Sequence, residues 1–319
     1  MTWRERRFDW FSRRLARSTR PILVGPWRSE VGFESLYWLP WLAAWRERYQ
    51  IPKARLIAIS RGGAGAWYDM GKSVDLFDYV APEKVRQAML RDAQQHGSVK
   101  QQRMTDWEAK LLPLMAEDLG LRRYHVLHPS AMYQGLTPWW EGHLGLTDLL
   151  RTLRFTDLPV PAVPLSLALP DKFVAVRFYA RHTWPMSDDI RTWVSDLVDG
   201  MAKHLPVVLL ESGLHADDHV DFPISGPNIT SLAPHVTLNN NLALQSAVLA
   251  KAQAFVGTYG GTMQLAARLR KPSVGFFSKF EGTAYAHKHL TEYLGVQQQV
   301  TVFIGRPDDA RIVKEVMGG

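Results

Sequence analysis

Three stretches of the sequence combine residue types and spacings that can do chemistry. The first is Ala254-Phe-Val-Gly-Thr-Tyr-Gly-Gly-Thr262, followed by Met-Gln-Leu-Ala-Ala-Arg268. An apolar run ends at Gly257, a loop carries Gly260 and Gly261, and a helical pattern opens near Thr262. Glycine lets backbone come close to a ligand. Thr262 suits an N-cap or first-turn position. The N–H groups of a helix start, with the helix dipole, favour a phosphate. The same letters also fit an ordinary tight turn with a capping threonine. The second stretch is Val176-Arg-Phe-Tyr-Ala-Arg181-His182. Arg177 ends a strand pattern and Arg181 lies in the loop behind it. A guanidinium fork pairs two oxygens at once and suits a diphosphate. The simpler alternative is a salt bridge to Asp188, Asp189 or Glu211. The third stretch is Gly25-Pro-Trp-Arg-Ser-Glu30-Val-Gly-Phe-Glu34. It places two carboxylates after a strand pattern, and either could act as a general base. Glu34 is also explained as a first-turn acid facing a helix dipole. Glu30 sits in the loop itself and is the preferred base. Trp27, with Arg61 and Gly62 after the next strand, would line the acceptor side.

Other signals carry less. His215-Ala-Asp-Asp-His219-Val-Asp221 has metal-like residue types in no standard cage spacing, so a polar turn is expected and no metal site. The 12 tryptophans, Trp139 and Trp140 adjacent among them, are read mostly as packing. No P-loop and no Gly-x-Ser-x-Gly elbow is present. The absence of cysteine removes disulfides, thiolate metal sites and a cysteine nucleophile.

The elements that must position these residues alternate. Residues 21–25 form an apolar run, 34–49 have helical periodicity, and 55–60 form the next strand, which makes a βαβ unit and a parallel sheet. Residues 84–96 and 106–118 read as helices and 124–127 as a weak third strand. The segment 157–165, with three prolines, reads as a linker. Alternation then restarts: strands at 172–178, 206–210, 229–232, 254–257 and 273–277, helices at 188–204, 242–252 and 262–269. The expected fold class is therefore α/β, with two Rossmann-like domains facing a cleft and the N-terminal one short. Their bounds are 21–160 and 166–319, behind a basic aromatic segment 1–20. Ligands of such sheets bind beyond the carboxyl ends of the strands.

Charge is concentrated at one end. The net charge is +7 over 319 residues, with 46% hydrophobic and 22% charged residues, which excludes disorder. Residues 1–20 hold seven arginines against Glu5 and Asp9, interleaved with Trp3, Phe8, Trp10 and Phe11. Such a segment is either a basic helix packed by its aromatics on the protein body or a segment lying on an anionic membrane surface. The remainder has no basic stripe, so no nucleic acid partner is expected. With no apolar run long enough to span a bilayer and no signal-peptide core, the expected location is cytoplasmic. It would be the inner face of the plasma membrane if residues 1–20 bind lipid.

FVGTYGGTMQLAARLRKPSVGFF resembles the late strand–loop–helix–strand of GT-B-fold glycosyltransferases, of which heptosyl- and fucosyltransferases carry variants. In those families the loop and helix start contact the phosphates and ribose of a sugar nucleotide. The resemblance thus implies donor contacts at Thr258, Tyr259, Gly260, Gly261 and Thr262. VRFYAR resembles an arginine-bearing strand and implies Arg177 or Arg181 as diphosphate ligands. Asn239-Asn240-Asn241 is similar to a loop near the nucleotide base, which implies Asn240. GPWRSEVGFESLYWLPWL is similar to the first strand, loop and helix of bacterial polysaccharide-type members, where the loop supplies the acceptor side and often the base. The resemblance covers residues 21–60 and 172–280. It implies a glycosyltransferase, metal-independent and inverting, without a cofactor. The enzyme would move sugar from a nucleoside-diphosphate sugar to a glycan or lipid-linked glycan acceptor in bacterial surface polysaccharide synthesis. Two alternatives stay open. One is a polysaccharide pyruvyltransferase using phosphoenolpyruvate, suggested by His182 beside Arg181. The other is a non-catalytic sugar-nucleotide- or glycan-binding protein.

Overall fold

A computed structural model describes residues 3–96, 100–164, 166–180, 184–214, 220–279 and 284–318. The chain divides into two units, Met1–Pro159 and Val160–Gly319. In the first, helix α1 (Trp3–Arg17) precedes strand β1 (Ile22–Val24). A continuous helical stretch follows, made of α2 (Val31–Phe33), a π-helical turn Glu34–Trp38 and α3 (Leu39–Arg48). Helix therefore begins before the expected residue 34. Strands β2 (Leu56–Ser60) and β3 (Lys72–Asp75) come next, then helices α4 (Pro82–His96) and α5 (Asp106–Asp118). Strand β4 (His125–Leu127) and helices α6 (Ser130–Trp140) and α7 (Leu146–Leu150) complete the unit.

The four strands form a parallel sheet in the order β3-β2-β1-β4. β1 and β2 are buried along their whole length, as expected of parallel strands covered on both faces. One face packs Leu23, Ile57 and Ile59 against Leu111, Leu112 and Met115 of α5. Elsewhere in the unit, Trp27 stacks on Trp38 at 5.8 Å and on Tyr133 at 6.2 Å. α5 opens with a reciprocal cap: Thr105 Oγ1 accepts from the Glu108 N–H, and Glu108 Oε2 accepts from the Thr105 N–H at 2.8 Å. Strand β3 was not expected. Its residues, KSVD, are mostly polar and none is fully buried, so no apolar run announces it.

The second unit contains β5 (Val174–Arg177), β6 (Tyr179–Ala180), α8 (Asp188–Ala202), β7 (Val207–Leu209), β8 (Val220–Asp221) and β9 (Ile229–Ser231). It continues with α9 (Asn241–Lys251), β10 (Ala254–Thr258), α10 (Gly261–Arg268), β11 (Ser273–Phe276), α11 (Ala284–Gln298), β12 (Val302–Gly305) and α12 (Ile312–Gly318). Six strands form a parallel sheet ordered β12-β11-β10-β5-β7-β9. Numbered within the sheet and taken from the β9 edge, this is 3-2-1-4-5-6, the doubly wound Rossmann order. Its switch point lies between β5 and β10. There Gly257 faces Arg177 in register, and a Cβ on Gly257 would lie 2.1 Å from the Arg177 carbonyl oxygen. Only glycine fits that approach. β6 and β8 pair antiparallel as a separate two-stranded ribbon.

Candidate functional site

In the second unit the two strands that flank the switch point end at Arg177 and Thr258, and the predicted residues Tyr259 to Thr262 follow the second of them. Arg177 ends β5 and is mostly buried. Its Nε donates to Asp221 Oδ1 at 3.2 Å, and its Nη1 lies 3.4 Å from both Gln245 Oε1 and Thr262 Oγ1. Partners from β8, α9 and α10 thus fix one guanidinium. Its carbon sits 5.3 Å from the Tyr179 ring centre. Asp221 in turn accepts from the Ser212 N–H at 3.3 Å.

The loop after β10 leads straight into α10. Gly260 is extended and stands at the N-cap, and no side chain caps the helix. Gly261 and Thr262 occupy its first turn, where N–H groups lack helical acceptors. Thr262 is a first-turn residue, and its hydroxyl meets Arg177 instead of capping. The switch point therefore brings an arginine fork and a helix start without a side-chain cap together, a combination suited to a diphosphate.

Other expected donor residues are placed differently. The Thr258 hydroxyl is spent on the chain, accepting from Tyr179 N at 3.0 Å and donating to Tyr179 O at 3.1 Å. Tyr259 is buried, and its N–H donates to Phe276 O at 2.8 Å. Asn240 closes its own turn: Oδ1 accepts from Thr237 N at 2.7 Å and Nδ2 donates to His235 O at 3.1 Å. Arg181 and His182 lie outside the described residues, as do 215–219. Among the described residues the acid paired with Arg177 is none of Asp188, Asp189 and Glu211. It is Asp221, which the sequence placed in a polar turn and which the structure places in strand β8.

In the first unit the switch point lies between β1 and β4. Glu30 sits at the N-cap of α2, half exposed, 3.1 Å from Lys100 Nζ. Lys100 also lies 3.7 Å from the Phe33 ring centre. Glu34 stands in the first turn of the π-helical segment and is fully buried. Arg61 Nη1 donates to its Oε2 at 2.7 Å and the Tyr68 hydroxyl to its Oε1 at 2.6 Å. Arg61 also donates to the Ser29 carbonyl. Burial pushes the Glu34 carboxyl up, and the Arg61 charge and the Tyr68 hydrogen bond offset that only in part. Gly62 and Gly63 both have left-handed backbone, and the Gly63 N–H is given to Asp75 Oδ2 at 2.7 Å. Trp27 is fully buried in the aromatic core and presents no acceptor surface. Trp38 and Tyr133 stack against it.

A network that the sequence did not reveal fills the space beyond β1 and β4. Arg28 Nε donates to Glu108 Oε1 at 2.9 Å and Nη2 to Asp92 Oδ2 at 3.3 Å, all three side chains buried. Glu108 Oε1 also meets Gln101 Nε2 at 2.9 Å and His128 Nε2 at 3.2 Å. Burial alone would push the Glu108 carboxyl up, but the hydrogen bond and charge of His128, then the Arg28 charge, hold it down at about 2. Arg28 Nη1 is buried without a partner among the described residues. The Thr105-x-x-Glu108 capping signature was the one readable signal for this cluster. Among the described residues no three His, Asp or Glu side chains converge as a metal cage, and no helix is long and apolar enough to cross a membrane.

No protein-family model matches the chain, and no curated protein matches it in sequence. Among solved structures it is similar to the glycosyl transferase family 9 protein of Veillonella parvula: 11% identity, 94% of this chain and 97% of that one covered, TM-score 0.48. It is similar to the E. coli ADP-heptose lipopolysaccharide heptosyltransferase II at 13% identity, over 88% of this chain and 100% of that one, TM-score 0.44. It is also similar to the E. coli heptosyltransferase WaaC with ADP at 16% identity, over 93% and 99%, TM-score 0.44. The structures it resembles are GT-B-like glycosyltransferases.

Proposed function

We propose that the protein is a glycosyltransferase that moves a sugar from a nucleoside-diphosphate sugar to a hydroxyl of a glycan or lipid-linked glycan, in bacterial surface polysaccharide synthesis. The observation that carries this reading is the pairing of Arg177 with the uncapped start of α10 at the switch point of a 3-2-1-4-5-6 sheet. The diphosphate would lie against that helix start. Arg177 and the first-turn N–H groups would meet the charge that develops as the sugar–phosphate bond breaks. In this reading side chain and backbone donors, not a metal ion, serve the leaving group. Glu30 would take the proton of the acceptor hydroxyl while that oxygen attacks the anomeric carbon. One displacement inverts that centre. Glu34 is assigned a different part from Glu30: both its oxygens are engaged, so it holds Arg61 in place. A lipid-linked acceptor would bring the protein to a membrane surface on the side where nucleotide sugars are made.

The test is a thermal-shift series with UDP, GDP, ADP, CMP and phosphoenolpyruvate, each with and without magnesium. A ligand that binds only the native state raises Tm with the logarithm of its occupancy. A shift with one nucleoside diphosphate, equal with and without magnesium, is expected, followed by turnover of the matching nucleotide sugar to a product of inverted anomeric configuration. A shift with phosphoenolpyruvate alone would overturn the donor assignment in favour of pyruvyl transfer.

A further inference from the structure

We infer that the outward face of α1 is a docking surface for an anionic lipid bilayer. One face of this helix is committed to the protein. Leu15 and Ser12 are fully buried, Trp45 Nε1 donates to Ser12 Oγ at 3.1 Å, and Phe8 lies 5.5 Å from Trp41. Arg55 Nη2 donates to the Leu15 carbonyl at 2.9 Å and ties down the end of the helix. The opposite face has another composition. At helical spacing Arg6, Trp10, Arg13, Arg14 and Arg17 fall within an arc of about 100°. All five are exposed, and Trp10 is 62% exposed.

Two features point to a bilayer. Asp9 pairs with Arg13 at 2.8 Å and accepts from the Tyr49 hydroxyl at 2.9 Å, so it offsets one of the four arginines and the stripe keeps a net positive charge. The side chain amid these arginines is a large indole, with the Arg14 guanidinium 5.7 Å from its ring centre. An indole exposed among cations costs apolar hydration in water. At the headgroup boundary the same pair is favourable: arginines meet lipid phosphates and the ring enters the interface. The helix lies flat on its unit, about 22 Å long. It therefore offers a shallow strip to a plane, where a nucleic acid groove would need a protruding helix.

The experiment is sedimentation of the full chain with phosphatidylcholine vesicles, with and without phosphatidylglycerol. Binding is expected only with phosphatidylglycerol, and weakening as salt rises. The variant R6Q/R13Q/R14Q/R17Q should lose about a hundredfold or more in vesicle affinity, and Trp10→Ala about tenfold. Brominated lipid should quench tryptophan fluorescence in the wild type and far less in Trp10→Phe, because the ring enters the interface. These substitutions leave the inward face intact, and an unchanged Tm will confirm folding. Binding indifferent to phosphatidylglycerol, or unchanged by the four substitutions, overturns the proposal. So does binding of duplex DNA through these arginines without vesicle binding. No readout involves turnover, so failure here leaves the glycosyltransferase reading untouched, and failure of that reading leaves this one untouched.

Discussion

Asp221→Asn separates the two things that Arg177 could be doing. The substitution removes a charge 3.2 Å from Arg177 Nε and keeps an oxygen in its place. The pair is largely shielded, with side chains 12% and 19% exposed. If Arg177 receives a phosphate, the native carboxylate partly neutralises it beforehand. A phosphate on the opposite edge of the guanidinium would sit about 6 Å from Asp221. The repulsion at that distance is about 0.7–3 kcal/mol for effective dielectric constants of about 80 to 20. Its removal should tighten the nucleoside diphosphate by about threefold to a hundredfold. The loss of a charge-assisted hydrogen bond should meanwhile cost about 1 kcal/mol of stability, the lower end for a pair that keeps some solvent. Affinity and stability thus move in opposite directions in one variant. Arg177→Ala should lose affinity by at least about tenfold, the worth of one charged contact. Calorimetric titration with the nucleoside diphosphate found in the thermal-shift series gives the first quantity, and urea unfolding gives the second. If both variants are less stable yet bind the ligand like the wild type, Arg177 is a structural pair and the diphosphate assignment falls.

Other positions respond in calculable ways. Glu108, held at about 2, contributes stability that is complete above pH 4.5 and lost as pH falls towards 2. Glu108→Gln should cost about 3 kcal/mol at neutral pH, and its urea-unfolding profile should lack that acid loss. Glu34 behaves oppositely. Its raised carboxyl favours the folded state below the ordinary carboxylate range, and the benefit is lost as pH rises through its folded-state value. The Glu34→Gln variant should therefore lose less stability than the wild type between acid and neutral pH, as read by urea unfolding at each pH. Glu30→Gln should lower kcat by about a hundredfold or more and leave donor affinity unchanged, and a loss under tenfold would remove Glu30 as the base. Gly257→Ala should cost far more stability than Gly275→Ala in thermal unfolding. The new methyl meets backbone, the Arg177 carbonyl, in the first case and the flexible Met263 side chain in the second.

Most of the framework was legible because parallel strands buried on both faces must be apolar throughout. Leu56–Ser60, Ala254–Thr258 and Ser273–Phe276 stand out for that reason. The expected helix 106–118 coincides with Asp106–Asp118, and at its start a reciprocal cap is written in four consecutive residues, Thr105 to Glu108. The reading left out α6, α11 and β12, and it also missed structure without a local signature. Strand β3 is an edge strand of polar residues, and β8 has two residues recognisable only by their pairing with Tyr179 and Ala180. The site divides along the same line. Residues just after a strand can be found from sequence, and so Arg177, Gly260, Gly261 and Thr262 were named and stand at the switch point.

Their partners could not be found in that way. Asp221 reaches Arg177 across 44 residues and Glu108 reaches Arg28 across 80, and no spacing rule connects positions joined only by the packing of separate elements. Burial is equally non-local, and it decides between the two carboxylates of the first unit. Glu30 and Glu34 are one helical turn apart, and a periodicity argument can only place the pair on or near the helix start. The fold then buries Glu34 between Arg61 and Tyr68 and leaves Glu30 half exposed at the N-cap beside Lys100. A base must reach its proton. In the proposed mechanism that requirement favours Glu30, and Glu34, with both oxygens engaged and its carboxyl pushed up, is assigned to holding the arginine that follows β2.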